Sequence, residues 1–462
     1  MVCLLIGGNL KVMREWLNAW LTRNSLLAGL ARAVITGGTA CAVVLMANAA
    51  VADKAVKPEV GFDLDRIPRT PLEIGPWVNV GSELRFDSDY LVDFDLDRSM
   101  NDNVALFAPR AEFYLSIEPD DSAQVFMRLQ YLEAFALTFD PDEWKRNTRV
   151  ELEELFLLLP EVWDNTSIQV GRQRTRDPRE WLFDQEFDSL RVYWRNNPFA
   201  VQAFAGGINL IPRRLNEADR MDDTMNYFLG GYFAPAEDSQ MGVYGFLRDD
   251  LGDGGESQYF IGLQGSGRTD FNLGYWFEGA YVGGHDGGRE IDGYGGDVGL
   301  YYVVPAPLKV TLAGGFAYGT GDGDLSDGVD GNFRQTGLQD NSGRFRGLTN
   351  FNIYGELFDP ELSNMAIYTA GLGFRPTSKS SIDLVYHWYH QAVAVPGLRD
   401  VRIGADPNGI DTDLGSELDV IIGIREIKNL RIELVGAVFF PGGAFPGADN
   451  AYLAELEIKY LF

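Results

Sequence analysis

From residue 76 onward the chain alternates apolar and polar positions in segments of roughly ten residues, the period of a strand with one greasy face and one wet face. Eighteen segments follow this rule: 76–86, 103–117, 123–139, 149–160, 166–174, 187–196, 199–208, 226–235, 240–249, 257–266, 270–282, 293–303, 308–319, 366–375, 380–390, 416–425, 429–440 and 451–462. Their connections sort by parity. Long ones, such as 87–102, 175–186, 209–225, 320–365 and 391–415, alternate with short ones such as 118–122, 305–307 and 376–379. The pattern predicts an all-β fold: an 18-stranded antiparallel transmembrane β-barrel with short periplasmic turns and long extracellular loops. A soluble sandwich has no reason to sort its loops in this way.

The last segment makes the polarity explicit. Tyr452, Ala454, Leu456, Ile458, Tyr460 and Phe462 share one face, and Glu455, Glu457 and Lys459 share the other. In a membrane the first face meets lipid and the second meets water, because backbone groups are satisfied only when the sheet closes on itself. Trp77, Tyr131, Trp194, Tyr275, Tyr302, Trp388 and Tyr460 suit interfacial girdles.

Composition narrows the chemistry. The 462 residues carry 39 Lys+Arg against 67 Asp+Glu, a net charge of −28, which argues against nucleic acid as a partner. Residues 1–52 read as a secretory signal peptide. Arg14, Arg23 and Arg32 precede a small, apolar stretch from Ala33 to Ala49, small-x-small sites end at Ala49 and Ala52, and Met13 offers an alternative start. Both cysteines, Cys3 and Cys41, fall in this segment, so its removal would leave no thiol for a disulfide, a zinc site or a nucleophile. Residues 53–75 form a periplasmic lead-in, and 76–462 form the outer-membrane barrel.

Parity also assigns the lumen. Glu83 and Arg85, Arg110 and Glu112, Arg128 and Gln130, Arg191, Glu417 and Asp419, and Arg431 and Glu433 all face inward. At this strand number the side chains no longer fill the bore, so opposed charges on the wall set a field across an aqueous channel.

Particular stretches carry a resemblance. Val170-Gly171-Arg172-Gln173-Arg174, Phe333-Arg334-Gln335-Thr336-Gly337-Leu338, Tyr354-Gly355-Glu356-Leu357-Phe358 with Glu361-Leu362-Ser363-Asn364, and Gly436 with Phe439-Phe440-Pro441-Gly442 resemble the bacterial alginate export family. The likeness is strongest from Glu154 onward. It implies an outer-membrane barrel through which an anionic polyuronate leaves past an arginine-rich constriction, with loops and a periplasmic turn as gates. It further implies outer-membrane lipid, lipopolysaccharide and periplasmic scaffold components of a secretion complex as partners. Arg174 stands where the family has a pore arginine, Asp184 where it has a lumen aspartate, and Arg110 matches a further arginine. Glu153, Asp359 and Glu433 stand where the family has arginines. Arg172 and Arg174 share parity with Ile168 and Val170, so Arg174 reaches water only if its strand bulges or has left the membrane.

Other signals fit this frame less well. Asp322, Asp324, Asp327 and Asp330 could collect Ca²⁺ but lack EF-hand spacing, and no cofactor is expected. His387 and His390 lie on opposite strand faces and cannot share a metal. A barrel hydrolase using His387 with Ser381 or Ser363 has no nucleophile elbow to support it. The competing transport reading is an uptake porin for small polar or acidic solutes.

Overall fold

The computed structural model describes residues 72–99, 103–120, 122–138, 144–216, 223–236, 238–252, 255–324 and 326–462. The expected signal peptide and the lead-in up to residue 71 lie outside the described residues. Eighteen long strands build the wall: β1 (Val78–Val92), β2 (Val104–Asp120), β3 (Ala123–Thr138), β4 (Lys145–Trp163), β5 (Thr166–Arg176), β6 (Asp184–Asn196), β7 (Phe199–Gly207), β8 (Thr224–Ala236), β9 (Ser239–Asp250), β10 (Ser257–Arg268), β11 (Leu273–Asp286), β12 (Arg289–Val303), β13 (Thr311–Gly319), β14 (Met365–Thr377), β15 (Ser380–Gln391), β16 (Asp413–Ile424), β17 (Leu430–Pro441) and β18 (Ala451–Leu461). Each pairs antiparallel with the next, and β1 pairs with β18 from Glu83↔Leu461 to Val92↔Tyr452, which closes the barrel.

Closure explains the surface. Leu229, Val243, Ile261, Val298 and Leu312 point outward and are half or more exposed, a pattern suited to lipid and costly in water. The short turns gather at the end that holds the chain terminus, where the Phe462 N–H donates to the Ser82 carbonyl at 2.9 Å. That end is periplasmic in barrels of this type. One expected outer loop is absent: β11 and β12 run through 283–292 and meet in a two-residue turn at Gly287 and Gly288, whose φ values of 53° and 96° suit a tight hairpin.

Two outer connections fold inward instead of outward. The first is 177–183. Pairing of β4 with β5 stops at Leu155↔Arg172, whereas β5 and β6 stay paired up to Arg176↔Asp184. Above Leu155 the free edge of β4 is taken by residues from the loop after β7: Leu152 N–H donates to the Arg213 carbonyl at 2.9 Å and Leu215 N–H to the Val150 carbonyl at 2.7 Å. The upper β5–β6 hairpin has therefore left the wall. Its Phe183 and Phe187 pack on Phe204, an inward residue of β7, and Phe183 also meets Phe228 and Phe246 from β8 and β9. The expectation of a polar lumen face fails on this side of the barrel, because the hairpin covers it and the burial of aromatic rings drives the contact.

The second is 320–364. Its Phe333, Phe345, Phe351, Tyr354, Leu357 and Phe358 are buried inside the bore. Glu417 on β16 accepts the Leu357 and Phe358 N–H groups at 2.7 Å each, and Trp181 Nε1 donates to the Tyr354 hydroxyl at 2.7 Å. The two inward segments thus form one inner lining. Trp181 and Leu182 carbonyls accept from Gln335 and Thr336.

Candidate functional site

The inward charged side chains that keep some exposure lie on β1–β4, β17 and β18, opposite the inner lining, and line the candidate passage; on β16 the inward Glu417 and Asp419 are fully buried beneath the second loop. Guanidinium groups of the passage come from both the wall and the lining. On the wall, Arg85 reaches Asp87 at 2.7 Å and Glu457 at 2.5 Å, and Arg110 reaches the other oxygen of Asp87 at 2.5 Å. Arg128 on β3 sits among four acids: Glu186 at 2.9 Å, Glu154 at 3.1 Å, Glu112 at 3.6 Å and Glu153 at 3.8 Å. Glu153 and Glu154 both turn inward because β4 bulges there, so that Arg128 faces Glu154 and Leu129 faces Leu152.

Arg174 occupies the departing hairpin. Its Nε donates to Asp184 at 2.6 Å and a second guanidinium nitrogen takes the other carboxylate oxygen, a two-pronged fork, while its backbone N–H donates to Glu154 at 3.0 Å. The side chain is 40% exposed, so it opens to water without facing lipid. The parity conflict is resolved at Gly171, which has φ +124°, and where a Cβ would collide with the Leu155 carbonyl. Beyond it Arg174 and Arg176 are exposed, while Arg172, Gln173 and Thr175 are buried.

The carboxylates of Glu180, Asp184 and Asp340 converge within 4.8 Å of one another, and Arg174 and Arg176 supply the counter-charge. Burial first, then Asp184, push the Glu180 carboxyl up to about 7, against the pull of Arg176 and Arg174. Because this folded-state value lies above the ordinary 4.5, the group favours the fold fully below about pH 4.5 and this contribution fades as pH rises through about 7. The same titration changes the passage. Lowering the pH from about 8 to about 6 is expected to increase anion preference in planar bilayers, and Glu180→Gln should flatten that dependence.

Not every expected residue lines the passage. Arg191 points inward but is 1% exposed, closed beneath the hairpin. With the Gln202 amide turned oxygen-first, it accepts from two of the Arg191 nitrogens at 3.1 and 3.2 Å. Arg191 is therefore a buried support. Arg172 is likewise buried, forked on Asp188 at 2.8 and 2.7 Å. Arg431 and Glu433 lie at the short-turn end, apart from the Arg128 and Arg174 group.

Sequence reasoning missed the partners of the three acids that stand where the resemblance implies arginines. Glu153 meets Arg213 from the loop after β7, Asp359 meets Arg402 at 3.1 Å, and Glu433 meets Arg425 at 3.7 Å. Each of these acids is thus paired with an arginine from another part of the chain. In the acidic loop, Asp322 takes Arg289 at 2.6 Å and Asp330 takes Arg334 Nε at 3.0 Å. His387 is fully buried with Nδ1 3.0 Å from the Thr369 hydroxyl, and Ser381 accepts from Leu348 N–H, so neither meets the other.

Residues 76–458 match the alginate export family. The alginate production protein AlgE of Azotobacter vinelandii is 25% identical over 195 residues, 37% of this chain, and the match spans 40% of that relative's length. The fold is shared with Pseudomonas aeruginosa OpdK in a structure with vanillate (TM-score 0.53, 14% identity, 83% of this chain and 98% of that one) and with OprD of the same organism (TM-score 0.52, 11% identity, 83% and 95%). With a wall of the outer-membrane porin type, inward-folded loops and a family match running from the first wall strand into the last, the chain belongs to the alginate export family.

Proposed function

We propose that this protein is an outer-membrane channel through which an anionic, alginate-like polysaccharide leaves the cell by diffusion. The observation that carries the reading is Arg174, forked on Asp184 yet open to the passage in a hairpin that has left the wall. A guanidinium recognises a uronate carboxylate through the same planar fork it offers Asp184. Each resident acid competes with the passing polymer, so every site is weak, and several weak sites in series let a polyanion enter and still leave. No bond is made or broken in this process. The outer face, rich in exposed Leu, Val and Ile, would sit in outer-membrane lipid and lipopolysaccharide.

The test is electrical. In planar bilayers under a salt gradient, the native channel should prefer anions and be blocked by oligouronates more strongly than by single uronate units. Arg174→Glu should move the reversal potential toward cations and weaken the block about tenfold, the scale of losing one charge-assisted carboxylate contact. Block by single uronate units equal to that by oligomers would favour the small-acid uptake alternative. Unchanged selectivity in the variant would overturn the role of Arg174.

A further inference from the structure

One charged group lies outside the arrangement just described. The tip of the inward loop, residues 344–349, reaches the short-turn end of the barrel. There Arg375, near the end of β14, donates from Nε to the Arg346 carbonyl at 2.9 Å and from a second nitrogen to the Gly347 carbonyl at 3.2 Å. Arg425, in the turn after β16, donates to the Leu348 carbonyl, and Leu348 N–H donates to Ser381 Oγ at 2.9 Å. Arg344 and Arg346 on the tip and Arg431 at the start of β17 are exposed and have no carboxylate in salt-bridge reach among the described residues.

Five arginines therefore converge with few acids. Glu433 lies 3.7 Å from Arg425, and Asp383 faces Arg375. Burial, then Arg431, lower the pKa of Arg425, and Arg344 and Arg375 act in the same direction; burial, then Arg346 and Arg176, lower that of Arg344. Mutual repulsion of this kind costs free energy, and carbonyl hydrogen bonds from the loop tip hold the group in place against it. In a chain of net charge −28 the contrast is sharp. At the long-loop end, Arg289, Arg334, Arg399 and Arg402 are each paired with an acid.

We propose that these five arginines form a capture site for the carboxylates of a linear polyanion at the periplasmic mouth, making polymer entry faster from that side than from outside. This rests on the channel reading above and adds a direction to it. A cationic mouth with low-dielectric walls concentrates anions locally and raises their encounter rate, whereas the paired, acid-rich outer end does not.

The experiment uses the full-length protein inserted in one known orientation in a planar bilayer, with oligouronate added to one side at a time. The on-rate of block is expected to be about tenfold higher from the periplasmic side, within the range that electrostatic steering supplies, and to fall steeply with salt. The double variant R344Q/R346Q removes two unpaired side chains, should leave folding intact, and should bring the two on-rates together. The outer-end variant K145Q should leave the asymmetry unchanged. Equal on-rates in the native channel, or an asymmetry that survives R344Q/R346Q, would overturn the capture site while leaving the channel reading in place. Absence of block from either side would instead remove the polyuronate reading, and the capture site with it.

Discussion

Excising residues 332–362 and bridging the cut with a short Gly-Ser linker is expected to raise single-channel conductance about threefold or more, since an eighteen-stranded wall alone leaves a wide aqueous bore. The geometry permits the cut. The Thr320 carbonyl accepts from both the Phe333 N–H at 2.9 Å and the Asn364 N–H at 3.0 Å, so the two cut points lie beside the same residue and the linker spans little distance. The wall keeps its backbone ladder, because the segment contributes no strand to the closed ring of eighteen. What is lost is the inner lining: the Leu357 and Phe358 contacts with Glu417, the Tyr354 contact with Trp181, and the burial of wall aromatics such as Tyr389 and Phe439 against Phe358. Selectivity should fall as conductance rises, because Arg344, Arg346 and Asp340 leave with the loop. Unchanged conductance would mean that this segment does not fill the bore, and the inner-lining description would be wrong.

The wall was legible because its signal is local. A strand facing lipid and water repeats every two residues, and each of the eighteen expected segments overlaps one observed strand. Loop parity then set topology and orientation. The inner lining was not legible by that route, since nothing in a period of two says where a long connection goes. Yet a clue was present. Trp181-Leu182-Phe183 and the apolar cluster at Phe351, Ile353, Tyr354, Leu357 and Phe358 lie in connections that would otherwise be exposed to water, and such residues in a long loop call for a surface to cover them. The same lesson applies to charge. Arg85, Arg110 and Arg128 lie on regular strands, where parity assigns a face, whereas Arg213, Arg344, Arg346 and Arg402 come from loops, where it assigns none. Arg191 failed for the opposite reason: its parity was right, but a hairpin from the neighbouring strands closes over it.

Arg128→Gln should be the most damaging single substitution in the passage. Its side chain is 12% exposed and those of Glu112, Glu153, Glu154 and Glu186 lie between 4% and 14%, so all five groups are largely removed from water. Arg213 partly compensates Glu153 and Glu186, but Glu112 and Glu154 have Arg128 as their salt-bridging cation among the described residues. Removing the guanidinium leaves buried carboxylates without a counter-ion, a change that typically costs about 3–5 kcal/mol. Urea unfolding of detergent-solubilised protein, followed by tryptophan emission, should report that loss, and the channel that remains should prefer cations. The double variant Arg128→Gln with Glu154→Gln discriminates between stranded charge and lost packing. If uncompensated charge is the cause, neutralising the acid restores a good part of the stability, because deleting both partners avoids the desolvation penalty that deleting one incurs. If stability stays as low as in the single variant, the arginine acts mainly through the contacts of its aliphatic stem, and the four-acid cluster is a consequence of its position rather than the reason for it.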